Sequence, residues 1–162
     1  MNSGVNASLA LRPITTTDRD RLYRIYASTR AEELAVTDWN DSQKATFLQM
    51  QFDAQHRYYM ENYRDARFQM IEWDRAPVGR LYLVRWPDEI RIIDIALLPE
   101  YRGRGLGSQL LRNIQADAQQ AGLPVTIHVE RFNPALSLYQ RLGFHMVEDK
   151  GVYLLLKWTP TD

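Results

Sequence analysis

Cysteine is absent from the 162-residue chain, which excludes disulfide frameworks, thiolate metal sites and cysteine nucleophiles. Net charge is absent too, because 20 basic side chains offset 20 acidic ones. Neither nucleic acid nor a membrane is therefore expected as a broad electrostatic partner, although a local basic patch stays open. No apolar run approaches the roughly 20 residues that span a bilayer. The opening MNSGVNAS has neither the basic stretch nor the apolar core of a signal peptide. A cytoplasmic protein is the expectation. No segment repeats and none is of low complexity. What remains, 45% hydrophobic and 25% charged residues, is the composition of an ordinary globular domain. The length suits one domain, residues 1–162, with 1–7 and 159–162 expected as flexible tails.

The apolar period changes along the chain. Ser8 to Arg12 alternates weakly and is closed by Pro13, a candidate first strand. Thr15 to Asp18 offers helix caps ahead of Leu22, Ile25 and Tyr26 at helical spacing. Asp41 and Ser42 suit the cap of a second helix running to about Tyr63, whose Phe47, Met50 and Tyr58 widen its apolar face. A helix of that kind is well covered, or it borders a pocket or a partner. From Ala66 the reading turns to strands: Phe68 to Trp73, Val78 to Arg85 after a turn at Asp74 to Pro77, and Glu89 to Leu98. Leu106, Leu110, Ile114 and Ala118 then mark a helix stopped at Gly122. A strand at Val125 to Val129, a short helix behind Pro134 ended by Gly143, and strands at Phe144–Val147 and Val152–Leu156 complete the chain. Hairpins early and helix–strand alternation late imply the α/β class, a central mixed sheet flanked by helices.

Glycine is scarce, eight in all, yet three fall in the six residues Arg102-Gly103-Arg104-Gly105-Leu106-Gly107. Glycine weakens a helix and adds unfolded-state entropy, so a bare backbone directly before a helix asks for a reason. Unpaired amides and the positive end of the dipole make a helix start an anion site. The two arginines add charge and paired donors. A tight strand-to-helix turn with solvated arginines is the plainer alternative, and composition does not separate the two. The motif lacks the Gly-Lys-Ser/Thr of a nucleoside-triphosphate loop, and its G-x-G-x-G spacing is not the dinucleotide fingerprint.

Arg102-x-x-Gly105-x-Gly107 after IALLPEY resembles the pyrophosphate-binding motif of the GNAT N-acetyltransferase superfamily. NPALSLYQRLGF, Asn133 to Phe144, resembles the same superfamily's later coenzyme-contact segment. The resemblance implies the GNAT-like acyl-CoA N-acyltransferase fold, with acetyl-CoA as co-substrate between the strand Ile90–Leu98 and the strand Val125–Val129. The pantetheine would pair with the backbone of Ile95, Ala96 and Leu97, and the pyrophosphate would sit on the amides of Arg102 to Gly107. Asn133 and Tyr139 would face the coenzyme from the other side, and Arg112 is a candidate for its 3′-phosphate or for solvent.

Acetyl transfer to an amine needs a neutral amine, a polarised carbonyl and a protonated leaving thiolate. A phenol of pKa ~10 stays protonated at neutral pH and can donate to a thiolate whose conjugate acid lies near ~8.5. Alone, Tyr139 reads as amphipathic packing beside Leu138 and Leu142; inside its motif it reads as the acid. A strand amide, Leu97 in particular, would receive the oxyanion. Asp94 is the acidic side chain of the strand that fits a base, with a plain backbone-bonded carboxylate as the alternative. His128 is the second candidate base and an acceptor-side residue, though a lone strand histidine more often belongs to the core. Glu32, Glu33 and Trp39, with Asp38, fall between the first two helices, where the resembling fold lines its acceptor pocket; acids beside an aromatic suit a cationic amine. His56 and His145 have no acid or metal partner at recognisable spacing, Glu130 reads as solvated or paired with Arg131, and no metal site is indicated. The expected acceptor is a small-molecule, peptide or protein amine. A homodimer face or plain core both account for the apolar second helix and for Trp73 and Trp86. A non-catalytic acyl-CoA-binding module on the same fold is the alternative to an enzyme.

Overall fold

The computed structural model describes residues 8–162, so the expected tail at 1–7 lies outside the described residues. Seven strands hydrogen-bond in the order β1-β2-β3-β4-β5-β7-β6. They are β1 (Leu9–Pro13), β2 (Arg67–Trp73), β3 (Ala76–Arg85), β4 (Ile90–Leu97), β5 (Val125–Glu130), β6 (His145–Asp149) and β7 (Tyr153–Trp158). Helices α1 (Arg19–Ala35), α2 (Asp41–Asn62), α3 (Leu106–Ala121) and α4 (Leu136–Arg141) connect them. β4 and β5 run parallel, whereas β1–β2, β5–β7 and β6–β7 are antiparallel. The sheet is mixed, as the element order implied. The chain divides into two compact units, Met1–Leu81 with Ala96–Tyr101, and Tyr82–Ile95 with Arg102–Asp162.

In the first unit, a buried carboxylate anchors the start of α1. Asp18 is fully enclosed, with Arg12 donating to both its oxygens at 2.8 Å, Arg21 at 3.2 Å and the Thr15 amide at 2.8 Å. The Arg12 guanidinium holds this carboxyl well below the usual carboxylate range against the opposing cost of burial. α1 buries Leu22, Ile25, Tyr26 and Leu34. α2 is capped one residue earlier than expected: Asn40, rather than Asp41 or Ser42, accepts from the Gln43 amide while Gln43 reaches back to the Asn40 amide. Its Phe52 is fully buried, edge-on to Tyr23 at 5.8 Å and stacked on His56 at 5.6 Å.

The β2–β3 turn is two residues long, not four. Asp74 and Arg75 both take positive φ (51° and 72°), which matches the twist of a tight hairpin. Pro77 consequently lies inside β3. Gly79 has a packing reason to be glycine, because an added Cβ would stand 2.3 Å from the Ala96 carbonyl oxygen. Beside it the Leu98 amide donates to Val78 at 2.8 Å.

In the second unit, α3 buries one stripe, Leu106, Leu110, Leu111, Ile114 and Ala118, between left-handed glycines at both ends. α3 packs against β5, and the strand residues Ile90, Ile92, Val125, Ile127, Val129, Leu154 and Leu156 are all buried. α4 starts at Leu136, two residues after Pro134, and ends before Gly143, whose φ of 94° sits against Trp158. Gln115 ties α3 to the end of α4 through the Leu142 carbonyl at 2.8 Å. At the chain's end the Thr161 amide donates to Gln119, and Gln119 donates back to the Thr161 carbonyl.

Candidate active site

The ladder between β4 and β5 is short. Ile90, Arg91 and Ile92 pair with Val125, Thr126 and Ile127, and the register ends there. β5 keeps its other edge on β7 through Glu130. The paired register thus stops at Ile92 and Ile127, while β4 runs on to Leu97 and β5 to Glu130. Parallel strands that part leave backbone donors and acceptors facing a gap, where a ligand can satisfy them.

The glycine turn opens close to that gap in the sequence. Gly105 takes φ 82° at the N-cap of α3 and no side chain caps the helix. Leu106 and Gly107 thus present first-turn amides that the helix itself cannot satisfy. Gly103 also lies at positive φ, 73°, and an added Cβ on either Gly103 or Gly105 would meet nothing within 4 Å. Gly107 is different: its backbone is ordinary, and its Cβ would make plain contact with Leu138 at 3.7 Å. The fold has no steric need for glycine there, so the bare position fits a ligand approaching the helix start. Arg102, Arg104 and Arg112 are exposed around it.

Tyr139 is buried on α4, edge-on to Phe144 at 5.6 Å. Burial, and then the negative charge of Asp94, raise its phenol above the ordinary value. The two residues singled out for proton transfer are thus electrostatically coupled within one unit. Asn133 serves the turn before α4, its Oδ1 accepting from the Ala135 amide at 2.8 Å, and it is exposed.

His128 is half-buried between two cations. Lys150 Nζ lies 3.0 Å from Nε2 and Arg91 Nη1 lies 3.4 Å from Nδ1. Desolvation, then Arg91 and Lys150, hold the imidazole below its usual pKa, with Glu148 and Glu89 opposing. Arg91 itself is spent on Thr126 Oγ1 at 2.7 Å and Glu89 at 3.4 Å, over the Trp86 ring. Arg91 and Lys150 were not singled out from the sequence, because the strand register that brings them to His128 is a long-range property.

The remaining candidates, Ile95 apart, belong to the first unit. Ile95 precedes the boundary within β4, whereas Ala96 and Leu97 fall in the first unit, half-buried. Glu33 pairs with Arg30 at 2.9 Å and Glu32 is exposed. Trp39 stands edge-on to Phe47 at 5.0 Å and, with Thr46, Phe47 and Met50, lines a groove of about 500 Å³. Neither Glu32 nor Glu33 is among its lining residues. α2 borders this groove rather than being well covered. Burial, then Arg19 and Arg80, lower the His56 pKa, with Asp53 opposing. Among the described residues no cluster of three metal-ligating side chains occurs, and no helix is long and apolar enough to cross a membrane.

A mixed sheet with a short parallel ladder and a glycine-led helix after its fourth strand is the arrangement expected of an acyl-CoA N-acyltransferase fold. The acetyltransferase (GNAT) family model matches residues 21–144, and the chain belongs to that family. A PaiA N-acetyltransferase of Thermoplasma acidophilum, solved with coenzyme A, shares the fold with a TM-score of 0.70. It is 17% identical, over 94% of this chain and 99% of that one. A mycothiol acetyltransferase of Corynebacterium aurimucosum is 33% identical over 93 residues, 54% of this chain and 27% of that protein. The ribosomal protein bS18-alanine N-acetyltransferase of Haemophilus influenzae is 33% identical over 67 residues, 41% of this chain. This chain spans about a quarter of the mycothiol enzyme's length and 46% of the latter's.

Proposed function

We propose that the protein transfers an acetyl group from acetyl-CoA directly to a primary amine of a small molecule, peptide or protein. The parting of β4 from β5 beside the uncapped start of α3 carries this reading. Acetyl-CoA would supply the activated acyl group; the amides of Arg102 to Gly107 would hold its diphosphate, and Ile95 to Leu97 its pantetheine. Arg102, Arg104 and Asn133 would close around it. Similarity to PaiA and to the two curated acetyltransferases supports the reaction class and leaves the acceptor open.

Asp94 and Tyr139 then divide the proton work. Asp94 takes the proton of the acceptor ammonium, and in doing so loses the charge that raises the Tyr139 phenol. Tyr139 becomes a better donor at the moment the departing sulfur needs a proton. Glu32, Glu33 and Trp39 would meet the acceptor, Trp39 through its groove. A homodimer through the exposed apolar side chains of α2 is compatible with this reading.

Calorimetry with coenzyme A, followed by thiol release over an amine panel, tests the reading; the protein contributes no thiol. Affinity for the coenzyme and amine-dependent thiol release are expected. Absence of coenzyme binding defeats the proposal, and binding without turnover on any amine leaves the non-catalytic module. Asp94→Asn is expected to slow turnover and also to lower the Tyr139 pKa in an ultraviolet titration. An unmoved phenol pKa removes the coupling.

A further inference from the structure

The chain holds only three lysines, Lys44, Lys150 and Lys157, against seventeen arginines. One of them points its ammonium at the first β5 side chain beyond the β4 ladder. Lys150 Nζ stands 3.0 Å from His128 Nε2, and His128 directly follows Ile127, the last residue paired with β4. A neutral imidazole has one lone pair. Both ring nitrogens face donor-only cations, and the shorter contact, Lys150 at 3.0 Å against Arg91 at 3.4 Å, makes Nε2 the nitrogen that can accept from the ammonium.

Lys150 is held there by its turn. Arg131, just past β5, forms an ion pair with Asp149 and donates to the Gly151 carbonyl at 3.1 Å, and its amide donates to Val152 at 2.9 Å. The Lys150 amide closes the turn on Tyr153 at 2.9 Å. The turn joining β6 to β7 is therefore clamped to the end of β5, with an exposed primary amine beside the parted strands. Arg91 and Lys150 contact the imidazole, and the charges of Glu148 and Glu89 also act on it.

We infer that Lys150 is itself an acetyl acceptor, modified within the same molecule with His128 as the base. This rests on the proposed acetyl-CoA reading of the parted strands. The Lys150 ammonium gives a proton to His128 Nε2. The freed nitrogen lone pair forms a bond to the thioester carbonyl carbon, the carbon–sulfur bond breaks, and the second proton shed by the nitrogen passes to the sulfur, which leaves as free thiol. His128 returns its proton to solvent, and a neutral amide replaces the charged amine.

Intact protein incubated with acetyl-CoA, cleaved at glutamates and read by mass spectrometry tests this. Acetylation at Lys150 is expected at least tenfold faster than at Lys44 and Lys157, at a fractional rate independent of protein concentration. His128→Ala should bring Lys150 down to the rate of the other two. Arg131→Ala, which frees the turn, should slow it severalfold. Acetylation should also raise the His128 pKa in an NMR titration, since a neighbouring cation disappears. Equal rates at all three lysines, a fractional rate proportional to protein concentration, or turnover of external amines with Lys150 untouched would each overturn the inference. Failure to bind coenzyme A would instead strike the underlying reading.

Discussion

Helices α2 and α3 make opposite use of their apolar residues. α3 spans 16 residues and buries five of them in one stripe, so its orientation is fixed by the core beneath it. α2 spans 22 residues, buries only Phe52, and leaves Met50 and Tyr58 more than half exposed. An apolar side chain left in water loses the ~1.5–3 kcal/mol that burial would give it. The contrast separates a helix that serves the fold and its anion-facing start from one that keeps side chains available beside a groove.

Tyr139→Phe tests that contrast most severely. Turnover is expected to fall roughly 100- to 10,000-fold while the calorimetric coenzyme affinity changes less than about twofold; equal rates for variant and parent remove the residue from its role. Asp18→Ala should act only on stability, by about 2 kcal/mol, because it removes the charge-assisted bonds from Arg12, Arg21 and the Thr15 amide while Arg12 keeps Glu72. The pH dependence follows from the lowered carboxyl. Asp18's contribution is complete above the unfolded value near ~4 and fades as pH falls from there toward the folded value. Thermal melts of parent and variant should converge in that acid range, and a constant gap would contradict the assignment.

Gly107→Ala separates fold from ligand more finely. The methyl group makes only ordinary contact with Leu138, and alanine favours the helix by up to ~1 kcal/mol. Melting temperature should hold or rise while coenzyme affinity falls about tenfold, or ~1.4 kcal/mol. Undiminished affinity would mean that the bare position serves no ligand. The smallest effect belongs to Trp39→Ala: KM for the acceptor should rise a fewfold with coenzyme affinity unchanged. A loss of coenzyme affinity instead would break the separation drawn between the two helices.

Several features were legible in the chain because they are local. Gly105 and Gly122 delimit α3, whose stripe has the helical period, and both elements sit where their spacing placed them. The α2 cap was misplaced by one residue because three consecutive residues, Asn40, Asp41 and Ser42, are all good caps, and only the reach of Asn40 to Gln43 decides among them. The hairpin turn was read too long because proline normally marks a turn, whereas here Asp74 and Arg75 take the left-handed conformation without it.

The sequence by itself determined the succession of elements, the glycine turn opening α3 and the tyrosine motif on α4. The first two depend on side-chain period and backbone freedom within a few residues, and the third on the motif's resemblance to the GNAT superfamily. Only the tertiary structure decided where β4 leaves β5, that Asp94 acts on Tyr139, and that Lys150 reaches His128. Those facts follow from strand register and chain packing between residues far apart in sequence, which no local pattern encodes.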